Sequence, residues 1–196
     1  MNNNESSKPG SVVTACAGAA RRPEENSMKH TLKVAARGDY EIVMTRVLDA
    51  PRRLVFDAFT KPELVKRWLG VFGGWELAVC EIDLRVGGSY RWVWKNANGM
   101  QMGMRGVYRE IVPPEKIVST ERFDEAWYPG EGLGTLLLTE QSGQTTVNSV
   151  VRYETREARD GVLKSPMESG VAASYNQLQQ VLDSLAADGE PARKQA

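Results

Sequence analysis

With 196 residues, the chain fits one domain of ordinary size plus a tail and is long enough to bury a sizeable core. Its 25 basic and 25 acidic residues cancel to a formal net charge of zero, which excludes the one-signed field of a nucleic-acid binder. No apolar run reaches the length of a membrane span, and Cys16 in a polar tail and Cys80 in an apolar strand pattern do not suggest a structural disulfide, so a soluble cytoplasmic protein with neither nucleic acid nor membrane as partner is expected.

Residues 1–38 mix Asn, Ser, Gly, Ala and charges without periodicity, and are expected to form a disordered N-terminal extension. Val13-Thr14-Ala15-Cys16 superficially resembles a lipoprotein cleavage box, but only Val12 and Val13 supply an apolar stretch there. Met28 is an alternative start, since a compact pattern begins soon after it. From Glu41 to Asp49, Ile42, Met44 and Arg46 alternate with Val43, Thr45 and Val47, as in a strand. Pro51 suits a first helical turn, and Leu54, Val55, Ala58 and Phe59 recur at helical spacing. Thr60 and Glu63 suggest a capping box for a second short helix bearing Leu64, Val65 and Trp68.

Six further strands are expected at 75–84, 88–96, 102–112, 115–123, 133–140 and 144–155, forming an antiparallel meander. Gly87-Gly88, Asn98-Gly99, Pro113-Pro114 and Ser142-Gly143 supply the turns. Only the 124–132 connection is long; its Trp127 and Tyr128 either line an entrance or pack beneath the loop. A turn around Glu157 to Leu163 has helical character. The last helix, expected over 166–187, starts at Ser165-Pro166 with Glu168 as capping-box partner and stops at Gly189 and Pro191, leaving 189–196 as a flexible tail. At 1.5 Å per residue it spans roughly 33 Å, enough to cross a curved sheet.

That helix has an uneven inner face. Its second half carries Leu178, Val181, Leu182 and Leu185 and should pack solidly, whereas its first half carries Gly170 and Ser174 beside Val171. Opposite this open half, Tyr90, Trp92 and Trp94 alternate on one strand face, as core fillers or as cavity walls.

Several short motifs follow one another in an informative order. They are Asp49-Ala50-Pro51 with Val55-Phe56 and Ala58-Phe59, then Pro62-Glu63-Leu64 to Trp68, then Asp83-Leu84-Arg85-Val86-Gly87-Gly88. Gly106-Val107-Tyr108, Glu110-Ile111-Val112-Pro113-Pro114, Met167-Glu168-Ser169-Gly170 and Ala173-Ser174-Tyr175 complete the set. In this order, from about Tyr40 to Ala187, the chain resembles the SRPBCC superfamily of START-related helix-grip proteins, and within it the activator of heat-shock protein 90 ATPase homologue group. The resemblance implies an α+β helix-grip fold over 39–188: a seven-stranded antiparallel sheet wrapped around a long C-terminal helix, two short helices after strand one, and a hydrophobic cavity. Many members carry Trp where this chain has Val171, and a second Trp where it has Leu69. Both departures remove bulk, so a cavity bordered by these positions would be larger or differently shaped.

The chemistry available is sparse. The only histidine, His30, lies in the tail, which removes the usual general base and commonest metal ligand from the folded part. Cys80 alternates with Ile82 and Leu84 as a buried structural thiol does, and no zinc spacing is present. The glycines at 87–88 and 130–134 read as turns rather than phosphate cradles, and Asp83-Leu84-Arg85 as part of a hairpin. Glu121 shares a strand face with Ser119 and Phe123; it either orients a polar ligand group from a buried position or, the favoured reading, lies on a solvated face or pairs with Arg105, Arg122 or Arg152. No catalytic residue, cofactor or metal is expected. The leading expectation is a domain that binds an apolar small molecule between helix and sheet, with Tyr90, Trp92, Trp94, Met104, Glu121, Trp127, Val171 and Tyr175 as ligand contacts. A module that binds a heat-shock chaperone is the alternative, weakened because eukaryotic activators resemble two-domain proteins. A polyketide-cyclase-type cavity enzyme is the third, and would need tyrosine, carboxylate or arginine chemistry.

Overall fold

The structure, a computed structural model, describes residues 31–71, 73–125 and 128–189. The tails at 1–30 and 190–196 and the candidate Trp127 lie outside these residues. Strand β1 (Lys33–Arg37) pairs antiparallel with β2 (Glu41–Leu48), Val34 opposite Met44. This adds an eighth strand to the expected seven, places the short helices after the second strand, and orders residues that were expected to be disordered. Lys33-Val34-Ala35-Ala36-Arg37 shows no apolar alternation, because four of its five residues are exposed. Backbone pairing with β2, together with Leu32, which is 6% exposed, holds this edge strand in place.

In β2 the alternation works as expected: Ile42, Met44, Arg46 and Leu48 point inward and are buried. Helix α1 (Arg52–Thr60) follows, and buries Val55, Phe56 and Ala58. The expected capping box is not formed. The Thr60 hydroxyl instead donates to the Phe56 carbonyl at 2.8 Å and closes α1, while α2 (Pro62–Val65) begins after Lys61, whose side chain makes no cap. Six strands then run as a meander: β3 (Trp75–Ile82), β4 (Ser89–Asn96), β5 (Gln101–Val112), β6 (Lys116–Phe123), β7 (Gly132–Gln141) and β8 (Gln144–Arg152). Strand β8 returns to β2, giving the order β1-β2-β8-β7-β6-β5-β4-β3 with β1 and β3 at the edges.

Two helices complete the chain, α3 (Arg156–Lys164) and α4 (Met167–Gly189). The Thr155 hydroxyl caps α3 by accepting from the Ala158 amide at 3.1 Å. Ser165 joins the two helices: its hydroxyl donates to the Val162 carbonyl at 2.7 Å and accepts from the Met167 amide at 3.3 Å. In the second half of α4, Leu178, Val181 and Leu182 are at most 3% exposed and share one core with Ile42, Leu48, Leu138 and Val147. Each such fully buried aliphatic side chain contributes about 1.5–3 kcal/mol.

Polar ties position this half as well. Asn176 and Gln179 reach β2 and the residue that follows it: Asn176 Oδ1 accepts from Arg46 Nη2, and Gln179 Oε1 from the Asp49 amide, both at 2.9 Å. Arg46 is 7% exposed, and burial lowers its affinity for the proton. No helix among the described residues is long and apolar enough to cross a membrane.

Candidate functional site

The uneven face of α4 has a direct structural result. Between its first half and the sheet lies a cavity of about 540 Å³, within the range of small-molecule sites. Strand β4 supplies one wall, because alternation puts Tyr90, Trp92 and Trp94 on the same face; ring centroids are 4.5 Å apart for Tyr90 and Trp92 and 6.2 Å for Trp92 and Trp94. Tyr90 lies close over β5 because position 106 is glycine: a Cβ there would meet the Thr120 carbonyl oxygen at 1.8 Å and the Tyr90 ring at 2.5 Å. The Tyr90 hydroxyl donates to the Thr120 carbonyl at 2.9 Å. The indole N–H of Trp92 has no conventional partner among the described residues; Cys80, opposite it on β3, offers a weakly accepting sulfur.

A second wall forms where the chain leaves α2. The Trp94 indole N–H donates to the Leu69 carbonyl at 3.0 Å, and the Gly70 amide donates to Ser174 Oγ at 3.2 Å, clamping Leu69-Gly70 between β4 and α4. Gly70 has φ of +71°, and a Cβ on it would meet Trp94 Nε1 at 2.1 Å. Gly70→Ala is therefore expected to destabilise the fold by more than the ~1 kcal/mol of left-handed strain alone and to displace Trp94. Denaturant unfolding and tryptophan emission check this; unchanged stability and emission would mean the clamp yields freely.

At the α1–α2 end, Phe59 and Trp68 meet edge to face at 4.9 Å, and Trp68 and Tyr175 lie 6.1 Å apart. The Trp68 indole N–H donates to the Ala58 carbonyl at 2.9 Å, which fixes that ring across the cavity end. Phe59, Val65 and Trp68 line the cavity, as do Met102, Tyr108 and Ile117, and none of them is among the ligand contacts expected from sequence. Their spacing signals an apolar face, and the same spacing serves a filled core and a cavity wall.

The site's carboxylate comes from β6, whose Ile117, Ser119 and Glu121 all line the cavity, while Thr135 of β7, Ser149 of β8 and Ser174 of α4 add neutral hydroxyls. Glu121 is thus not the surface or ion-paired carboxylate favoured from sequence. Arg105 pairs with Asp124, and Arg152 with Glu41. Glu121 Oε1 accepts from the Tyr128 hydroxyl at 3.4 Å, and Gly132 opposite it on β7 leaves room for its side chain, since a Cβ there would meet Glu121 Cγ at 2.7 Å. Burial pushes the Glu121 carboxyl up to about 7, opposed by the Tyr128 hydrogen bond. Burial also raises Tyr90, Tyr108, Tyr128, Tyr153 and Tyr175, so these phenols are neutral hydrogen-bonding groups at physiological pH. Cys80 is a buried free thiol whose ionisation is likewise suppressed by burial.

Seven of the eight sequence candidates therefore come together around one space: Tyr90, Trp92, Trp94, Met104, Glu121, Val171 and Tyr175. Trp127 falls outside the described residues. Leu69 and Val171, the two positions where bulk is reduced, both border the cavity. Tyr128, from the long connection, is 7% exposed and packs against Tyr153 at 5.2 Å and Phe123 at 6.3 Å.

A single antiparallel sheet gripping a C-terminal helix over an aromatic cavity defines the SRPBCC class of fold. Residues 49–183 match the family described as Activator of Hsp90 ATPase homolog 1-like protein, and the chain belongs to that family. Among solved structures, it is similar to a Rhodobacter sphaeroides protein at 30% identity, with 80% of this chain and 99% of that one covered and a TM-score of 0.73. A Chromobacterium violaceum protein is 31% identical over 74% of this chain and 97% of its own, with a TM-score of 0.63. An AHSA1-like protein from Aeromonas hydrophila, at 14% identity, 76% and 97% coverage and a TM-score of 0.58, shares the fold alone. No curated protein matches the sequence.

Proposed function

We propose that this domain binds an apolar small molecule in the cavity between the first half of α4 and the sheet. The observation that carries the reading is an aromatic-walled space of about 540 Å³ bordered by Gly170, Val171 and Ser174, where a filled core would place large side chains. Burying about 300 Å² of apolar ligand contributes on the order of 7 kcal/mol, so micromolar affinity is expected. The test is titration of the full chain with N-phenyl-1-naphthylamine, a neutral apolar dye that brightens on leaving water, alongside native mass spectrometry. Saturable dye binding supports the proposal, and Val171→Trp, which puts an indole into the space, should weaken it at least ten-fold. Absence of saturable dye binding together with no bound mass lost on denaturation would overturn it.

The family description favours a second reading, contact with the chaperone for which its activators are named. Adding the chain to that chaperone's ATPase assay tests it, and a flat response up to saturating protein would dismiss it.

A further inference from the structure

The cavity carries a charge pattern that separates classes of apolar ligand. Among the described residues, Glu121 is the one acidic or basic side chain that lines it. The groups facing Glu121 are Tyr128 from the β6–β7 connection, Tyr90 from β4 and Tyr153 beyond β8, all neutral phenols. No arginine among the described residues lines the cavity: Arg91 and Arg105 pair with Asp124, Arg152 pairs with Glu41, and the buried Arg46 donates to the neutral Asn176 amide on α4. The hydroxyl of Tyr128 reaches Glu121 at 3.4 Å, long for a bond to an ionised carboxylate, which prefers donors at about 2.5–2.7 Å. Among the described residues the carboxylate thus lacks a close charged partner, in a site whose remaining walls are aromatic and aliphatic apart from the neutral hydroxyls of Ser119, Thr135, Ser149 and Ser174.

We propose that the cavity selects an apolar molecule bearing one protonated amine, its ammonium against Glu121 and its apolar body along the Trp92–Trp94 wall. The inference rests on the reading of this cavity as a ligand site. An ammonium supplies the close donor and opposite charge that Glu121 lacks, and the ring faces around it add cation–π attraction. A carboxylate-headed ligand meets a like charge with no cation on the wall to offset it, and an alcohol supplies a donor without the charge.

Linkage gives the pH dependence its sign. With Glu121 pushed up to about 7 by burial, the empty site holds a mostly neutral acid at pH 6 and a mostly ionised one at pH 8. An alkylamine with a pKa near that of lysine, about 10.4, is protonated at both. Amine affinity should therefore rise several-fold from pH 6 to pH 8 while alcohol affinity stays level.

The experiment is displacement of N-phenyl-1-naphthylamine from the full chain by octylamine, octanol and octanoate at pH 6 and pH 8, in wild type and Glu121→Gln. At pH 8 octylamine is expected to displace the dye at concentrations at least ten-fold below octanol, with octanoate weakest. Glu121→Gln should collapse the amine-to-alcohol ratio to about one. Octanol matching octylamine in wild type, or an amine preference that survives Glu121→Gln, overturns the inference while the apolar cavity stands. An amine preference in wild type that is the same at pH 6 and pH 8 overturns it without reference to any variant. Dye that never binds, together with no bound mass lost on denaturation, removes the ligand-site reading and this inference together.

Discussion

Glu121→Gln is expected to stabilise the domain in a strongly pH-dependent way. At pH 4 the wild type and the variant should be almost equally stable, because a carboxyl with the ordinary value of 4.5 is protonated in the unfolded chain and the raised carboxyl is protonated in the folded one. As pH rises above 4.5 the unfolded wild type releases its proton while the folded protein, with its carboxyl near 7, still holds it. The wild type therefore loses stability across this window, and above about 7 the loss levels off. At about 1.36 kcal/mol per pKa unit the full difference is on the order of 3 kcal/mol, an upper figure because solvent entering the cavity screens the charge. Gln does not titrate and keeps an oxygen for the Tyr128 hydroxyl, so it escapes this loss. Urea unfolding of both proteins from pH 4 to pH 8 measures it; parallel stability curves would show that Glu121 ionises in the fold as freely as in the unfolded chain.

Leu178→Ala and Val171→Ala should differ sharply although both sit on the inner side of α4. Leu178 is 0% exposed in the tightly packed half, and truncating it removes buried methyl groups and leaves a void, at a cost of about 2–5 kcal/mol. Val171 is half-buried and borders a space that already exists, so its truncation creates little new void and should cost about 1 kcal/mol or less. Denaturant midpoints at constant m-value distinguish the two. Equal losses would mean that the first half of α4 is packed as closely as the second. The contrast matters because the loose half is where the ligand is proposed to sit, and stability and binding would then be carried by separate stretches of one helix.

Much of this architecture was legible in local patterns. The alternation from Ile42 to Leu48, the turn residues between the later strands and the Ser165 cap of the last helix each act over a few residues and appear where expected, whereas the Glu168 half of that helix's capping box does not form, the Ser165 amide donating to the Val162 carbonyl instead. Two other local signals failed for tertiary reasons. Thr60 satisfies the carbonyl behind it rather than an amide ahead, so the capping-box spacing to Glu63 has no effect. Lys33–Arg37 has no periodicity of its own, because an edge strand that buries little side chain is ordered by its neighbour's backbone.

The sequence by itself determined the order of the elements, the aromatic face of β4 and the contrast between the small and large halves of α4. Those features are periodicities of 2 and 3.6 residues, set by the geometry of strand and helix whatever lies across from them. Tertiary structure alone decided that the aromatics enclose open space instead of filling it, that Phe59 and Trp68 close its end, and that Glu121 faces inward among neutral phenols. A one-residue change in where β6 sits would turn Glu121 to solvent, since successive strand side chains point to opposite faces. The charge environment of a carboxylate depends on residues distant in the chain, here Tyr90, Tyr128 and Tyr153, and only the curl of the sheet around α4 brings those rings together around it.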